Sequence, residues 1–403
     1  MRSDVESTQP ATRRLKVLLV TSFPPSRGDL NEYGYHLACA LTDDPNVDLC
    51  ILADETSAGP DPEGFCIERC WRFDSISNAT RLLWRIGKHR PDVVWFNIGF
   101  STFARSPLPA ILALTVPALA RLSGFYTHIT LHTIFERISL KDAGVRWPGL
   151  YRVAGRIATH LLLMADGVSV LLPSFQSDLV KNYGAWANRV QARPHGTFEG
   201  FERRTPTLAN GPERPILAFG YWGTYKRLEL LLESLDEISR AVPTAMLVVA
   251  GTDHPSTPGY LEALKKKYAG RPVRFLGYVA EDELPKLFSS ASVLVLPYSS
   301  AAGTSGVMHQ ACQYGLPMVA AAIPEMVEVA KEEKVAVEFY QPGDGKALAG
   351  LLTRLLSSDE LRRAASEQNL RAAGLTPMSQ VVGDYLRFFE QKVFKSRNQV
   401  TTK

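Results

Sequence analysis

The chain has 403 residues, 45% of them hydrophobic and 21% charged, the balance of a globular protein in water rather than of a disordered or fibrous one. Its length exceeds what one hydrophobic core comfortably serves, so two domains are expected. A formal charge of +4 is small for this size and gives no field that would recruit nucleic acid.

Five cysteines (Cys39, Cys50, Cys66, Cys70 and Cys312) include no CxxC pair, which fits a reducing cytoplasm and excludes a disulfide framework or zinc ribbon. Cys66 and Cys70 have no second pair at ligand spacing, and no metal is expected on them. The first sixteen residues are polar and basic, and the apolar run from Val17 to Val20 stops before Pro24 and Pro25, too soon for an export signal. Short β-branched and Leu-rich runs then recur, separated by helix-patterned segments. In the first half they are Lys16–Val20, Val47–Leu52, Val93–Asn97, Tyr126–Leu131 and Gly167–Leu172. Thr80–Arg90 carries five basic residues beside Leu82, Leu83, Trp84 and Ile86. Pro107–Ala120 is apolar but holds three prolines and is too short to span a bilayer. These two segments admit two readings: a peripheral contact with an anionic membrane, or core-facing helices with one solvated basic side.

Arg193–Arg214 is rich in Pro, Gly and polar residues and reads as an interdomain connection. A second series of runs follows: Pro215–Phe219, Ala245–Ala250, Val273–Leu276, Val293–Leu296, Met318–Ala320 and Val335–Phe339, with helical patterns such as Leu228–Ile238 and Tyr260–Tyr268 between them. After Ser357 the pattern is helical to the end, broken at Gly374–Pro377. Such alternation is the sequence form of parallel sheets covered by helices, so two doubly wound units are expected in series. Their boundaries fall at 1–195 and 196–375, with 376–403 a final helix that needs a surface to pack on.

Doubly wound sheets bind ligands at the carboxyl ends of their strands, where helix N-termini offer amides and a partial positive charge to phosphates. After Val293–Leu296 comes Ser299–Gly306, a run of Ser, Ala, Gly and Thr leading into the helical pattern Val307–Tyr314. Gly303 and Gly306 let backbone approach a ligand, and Thr304 and Ser305 offer hydroxyls; a plain capped turn is the competing reading. After Pro215–Phe219, Gly220 and Gly223 flank two aromatics, and Lys226 and Arg227 open the next helix, where cations would neutralise a diphosphate. Neither a GxxxxGK[ST] loop nor a GxGxxG fingerprint is present, which disfavours an ATPase or a dehydrogenase.

In order and spacing these residues resemble family 4 (group 1) of the retaining glycosyltransferases. The resemblance runs from Phe23-Pro24-Pro25 with Gly28, through Arg90-Pro91-Asp92, Thr130-Leu131-His132 and Pro194-His195-Gly196, to Phe219-Gly220 with Lys226, Phe275-Leu276-Gly277, Leu296-Pro297 and Ala311–Pro317 with Pro324-Glu325. It implies the GT-B fold: two Rossmann-like domains facing a central cleft, with the C-terminal helix crossing back to the first domain. It also implies a nucleotide-sugar (NDP-sugar) donor held mainly by the second domain, and a glycan or lipid-linked acceptor held by the first. By the same analogy Lys226, helped by Arg227, would contact the donor diphosphate, Gly220 and Gly303–Gly306 would cradle it, His132 would lie near the transferred sugar, and Gly28 would let the first loop approach the donor. Two departures stand out. Where the family carries two glutamates eight positions apart this chain has Ala302 and Gln310, and where an arginine commonly follows the strand glycine it has Tyr221. Gln310 retains the capacity to hydrogen-bond a ribose hydroxyl.

Glycosyl transfer builds positive charge on the sugar and negative charge on the departing diphosphate. Thr21–Asn31 contains no His to act as the general base of an inverting enzyme, so retention of configuration is expected, with the leaving phosphate assisting the acceptor hydroxyl. No Asp-x-Asp motif is present, and neither metal nor other cofactor is called for. The expected setting is cytoplasmic, with a peripheral site at the inner face of the membrane for a lipid-linked acceptor. Three alternatives remain: an inactive relative that partners another glycosyltransferase, a nucleotide-sugar epimerase, and a non-enzymatic interaction protein, which would leave the ordered resemblance unexplained.

Overall fold

The computed structural model describes residues 13–26, 28, 30–138, 140, 147–199, 213–254, 256–300 and 303–400. Ala302 and the centre of the expected connection, 200–212, lie outside the described residues. Seven strands form the first sheet: β1 Leu15–Val20, β2 Val47–Asp54, β3 Ile67–Trp71, β4 Val93–Ile98, β5 Tyr126–Leu131, β6 Gly167–Val170 and β7 Val190–Ala192. Their order is β3-β2-β1-β4-β5-β6-β7, and β1 pairs in parallel with both β2 and β4. The winding reverses at β1, the doubly wound arrangement. Every residue of β4 is buried, as covering both sheet faces with helices requires.

Six strands form the second sheet: β8 Arg214–Trp222, β9 Ala245–Asp253, β10 Val273–Gly277, β11 Val293–Leu296, β12 Met318–Ala321 and β13 Val337–Tyr340. Their order is β10-β9-β8-β11-β12-β13. The winding here reverses between β8 and β11, which lie side by side, so the switch point falls at the two strand ends that the sequence singles out.

The expected strands all form, with instructive differences. Two strands, β3 and β7, add to the five expected in the first half. β3 reads Ile-Glu-Arg-Cys-Trp and sits at the sheet edge; an edge strand needs no continuous apolar run, so the run-based reading passes over it. β8 runs three residues past the expected Phe219, to Trp222, whose buried indole donates to the Ala250 carbonyl at 2.9 Å. β13 starts at Val337 rather than Val335. Lys334 adopts a left-handed turn (φ 58°), and the amide of Ala336 donates to the Asn369 side chain, so the chain enters the sheet late.

Thr80–Arg90 lies on the helix Asn78–His89, with Leu82 and Ile86 buried. Two of its arginines are ion-paired, Arg81 with Glu55 and Arg85 with Glu68, and His89 lies 3.0 Å from Glu68. Leu82 and Ile86 face the core, while Trp84 is 62% exposed with Arg85 and Lys88 over its ring. Pro107–Ala120 folds into two short helices, Pro107–Leu114 and Val116–Leu122, that are buried on one side.

Close contacts divide the chain into two units, one made of Met1–Thr130, His160–Val168 and Val382–Lys403, the other of Leu131–Thr159 and Ser169–Val381. The last helix, Met378–Val400, thus gives most of its length to the first unit. There the ring of Tyr385 lies 4.4 Å from that of Trp95, Phe389 lies 5.1 Å from both Trp95 and His128, and the Tyr385 hydroxyl meets Thr130 Oγ1 at 3.2 Å. No helix among the described residues is long and apolar enough to cross a membrane.

Candidate functional site

The site forms where the chain leaves β8 and β11. Gly220 (φ 144°) and Gly223 (φ 109°) hold backbone conformations that disfavour a side chain, and the Gly223 amide donates to the Lys226 carbonyl at 2.9 Å, closing a turn. This turn carries Lys226 back across the strand end, where its backbone bridges Tyr298 in antiparallel fashion. The Lys226 ammonium stands 5.1 Å from the Tyr298 ring centre and 5.8 Å from that of Tyr225. A Cβ added to Gly220 would meet Nζ at 3.3 Å, so the lysine is folded over the glycine backbone. Among the described residues no carboxylate forms an ion pair with Lys226.

Tyr298 links this cation to the glycine-rich loop. It is buried, and its hydroxyl lies 3.4 Å from Ser305 Oγ. Ser305 is the residue preceding the helix Gly306–Gln313, yet its side chain makes no capping hydrogen bond to the first turn. The Thr304 hydroxyl beside it is buried with no hydrogen-bond partner among the described residues. Uncapped first-turn amides, an unpartnered hydroxyl and a nearby ammonium are together the equipment of an anion site.

The two loop glycines serve different ends. A Cβ on Gly303 would meet the His132 carbonyl oxygen at 2.7 Å, because Gly303 bridges Thr133 at the end of β5. A Cβ on Gly306 would meet nothing within 4 Å. Gly303 is therefore glycine for packing, whereas Gly306 borders open space at the helix start.

His132 is buried at the end of β5, and burial alone pushes its pKa down to about 3, which leaves the ring neutral. It packs edge-on to His195 at 6.1 Å, and His195 stacks on His309 at 4.0 Å. His309 lies in the first turn and a half of the helix Gly306–Gln313; its Nδ1 meets the Ser305 carbonyl at 2.9 Å and its Nε2 the Glu333 carboxylate at 3.0 Å. Burial works to deprotonate it, but the charge and hydrogen bond of Glu333 and the Ser305 carbonyl prevail and raise its pKa. Tyr298, His195, His309 and Glu333 were not among the residues that sequence reasoning assigned to the site. The available signals were Tyr298 directly after Leu296-Pro297, and a lone His at 309 within an otherwise apolar helix face.

The remaining candidates are placed less directly. Arg227 is held by Glu229 through contacts of 2.7 and 3.3 Å, and Glu229 also accepts from Tyr260, so its guanidinium is engaged rather than open. Gln310 is buried on the helix that follows the loop. Gly28 lies in the loop after β1, where a Cβ would meet Ser22 Oγ at 2.7 Å and Asp54 Oδ2 at 3.1 Å; its smallness serves that loop's own packing. No group of three or more metal-ligating side chains occurs among the described residues.

The two parallel sheets with their covering helices build the GT-B fold of two Rossmann-like units. The sucrose-phosphate synthase from Thermosynechococcus elongatus superposes with a TM-score of 0.74 at 17% identity, covering 95% of this chain and 100% of that one. Anabaena HepE in complex with UDP and glucose superposes with a TM-score of 0.66 at 16% identity, covering 94% and 100%; at such identities the likeness establishes the fold. Residues 213–358 match the family described as "Glycosyl transferases group 1". Over 312 residues it is 28% identical to the sulfoquinovosyl transferase SQD2 of Arabidopsis thaliana, covering 73% of this chain and 56% of that protein. Over 202 residues it is 26% identical to the phosphatidyl-myo-inositol mannosyltransferase of Mycobacterium leprae, covering 49% and 52%. The chain spans about half the length of these curated relatives.

Proposed function

We propose that this protein transfers a glycosyl group from a nucleoside-diphosphate sugar to a hydroxyl of a lipid-linked or glycan acceptor, with retention of configuration. The observation that carries the reading is the meeting of Lys226, Tyr298 and Ser305 at the uncapped start of the helix Gly306–Gln313. The family match over residues 213–358 supports the reaction class, the UDP seen on Anabaena HepE supports a nucleotide donor, and the name of the mycobacterial mannosyltransferase supports a phospholipid acceptor. In this scheme Lys226 neutralises charge on the departing diphosphate while the helix amides and Thr304 hold its oxygens. Neutral His132 offers a polar contact near the sugar without repelling the developing oxocarbenium ion. The leaving phosphate takes the acceptor proton, so no protein nucleophile, metal or other cofactor enters. The work is set at the inner face of a membrane.

A panel of UDP-, GDP- and ADP-sugars tests this, with Lys226→Ala and Gly306→Val beside the parent chain. Gly306 is the informative glycine because a side chain there meets open space, whereas a substituted Gly303 would collide with backbone. Losing a charge-assisted contact costs about 1.5–3 kcal/mol, so Lys226→Ala should lower kcat/KM roughly 10- to 150-fold on the one donor accepted. Donor binding without turnover in the parent chain would instead favour a non-catalytic partner, a reading that exposed Tyr221 in place of the family's arginine keeps in view.

A further inference from the structure

The helix Pro148–Leu163 is apolar on two opposite sides. One side is buried through Gly155, Ala158, Thr159 and Leu162, and it sits so close to the chain beneath that a Cβ on Gly155 would lie 2.3 Å from the Phe135 ring. The other side faces water. Leu150, Val153 and Ile157 are 68%, 57% and 51% exposed, and Trp147, just before the helix, is 70% exposed. At 100° per residue the three aliphatic side chains fall within an arc of about 60°, turned directly away from the buried side. A row of large apolar side chains in water is costly unless something covers it.

The charges beside the row say what the cover is. Arg152 and Arg156 are exposed along its flank, and among the described residues no carboxylate forms an ion pair with either. The sixteen residues of the helix include no Asp or Glu. This is the reverse of the helix Asn78–His89, whose arginines are paired with Glu55 and Glu68. An apolar row, a flanking tryptophan and guanidinium groups without a carboxylate ion pair among the described residues together match the boundary of an anionic bilayer: apolar chains below, phosphates beside, and an amphipathic indole at the headgroup level.

We propose that the outer face of Pro148–Leu163, led by Trp147, docks the protein on an anionic phospholipid surface. The contact is peripheral, with the helix axis in the plane of the interface and Leu150, Val153 and Ile157 entering the acyl boundary. It extends the reading of a lipid-borne acceptor, yet its test needs neither donor nor acceptor, so the two stand or fall separately.

The test is co-sedimentation of the full chain with extruded vesicles of phosphatidylcholine alone or mixed with phosphatidylglycerol. Two arginines near the surface should favour the anionic vesicles by about tenfold or more at low salt, and added salt should erase that preference. Leu150→Glu with Ile157→Glu should abolish binding to both vesicles. Arg152→Gln with Arg156→Gln should remove only the preference for the anionic ones. All four positions are exposed, and unchanged thermal unfolding would verify that the variants fold. Absence of binding by the parent chain, or equal binding by the Glu variant, overturns the proposal. So does a dimer seen by light scattering without vesicles and dissolved by the Glu variant, because the face would then belong to a second copy of the chain.

Discussion

The His309 ring lies between the Ser305 carbonyl and the Glu333 carboxylate; a carbonyl can only accept, so Nδ1 carries a proton, and the raised pKa of the ring favours a second one on Nε2 toward Glu333. It holds Ser305, the last residue before the helix Gly306–Gln313, in place. Removing one partner of a buried ion pair costs about 3–5 kcal/mol, and His309→Asn should destabilise the fold by a sizeable part of that. The pH dependence separates it from its neighbour. The folded pKa of His309 is raised, so its contribution is complete below the unfolded value of about 6.5 and disappears as pH climbs through the folded value. His132 has the opposite sign: with a folded pKa of about 3, its stability is present above about 6.5 and is lost on acidification toward 3, at about 1.4 kcal/mol per unit. Urea unfolding from pH 4 to 9 should show the parent's advantage over His309→Asn shrinking as pH rises, and its advantage over His132→Asn growing. A parallel response of the two variants would contradict these assignments. Lys226 and the loop glycines were legible in the sequence because strand ends advertise themselves through Gly and Lys. The His195–His309–Glu333 stack was not, since its members are separated by long stretches of chain and only folding makes them neighbours.

At the scale of elements, the smallest connections hold the second unit in register. Asn369, on the helix Asp359–Ala373, is fully buried; its amide donates to the Leu316 carbonyl and its oxygen accepts from the Ala336 amide, tying the entries to β12 and β13 to one helix. Asn369→Leu would strand both backbone groups, each at about 1–3 kcal/mol, and should lower the urea midpoint accordingly. The final helix is the other case. Its apolar spacing at Val381, Tyr385, Phe388 and Phe389 told that it needs a partner, and the structure supplies Trp95 and His128. Phe389→Ala should cost about 3–5 kcal/mol, read as a fall in thermal midpoint, because a fully buried aromatic leaves a cavity. A loss below about 1 kcal/mol would mean that the helix is not docked there. Edge strands β3 and β7 escaped the sequence reading for a physical reason: they lack the two-sided burial that makes the inner strands read as unbroken apolar runs.

Across the whole molecule, a donor that binds only the folded chain must stabilise it. UDP at about one hundred times its Kd should raise unfolding free energy by about 2.7 kcal/mol in the parent chain. Lys226→Ala, at the same UDP concentration, should lose most of that gain while its ligand-free melting stays near the parent value. An equal UDP-induced shift in both would take Lys226 out of the donor site. Composition, the alternation of apolar runs with helical patterns, and glycines at strand ends by themselves determined that this protein builds two parallel α/β sheets and which strand ends of the second carry glycine-rich and cationic loops, because those features depend on local periodicity and backbone freedom. The tertiary structure alone decided which loops converge: Lys226 over Tyr298, Tyr298 on Ser305, and His309 clamped between Ser305 and Glu333. It also decided that Leu150, Val153 and Ile157 on the helix Pro148–Leu163 are left exposed by the packed chain. Contacts between residues distant in sequence, and the exposure that remains once they form, are properties of the packed chain rather than of any segment of it.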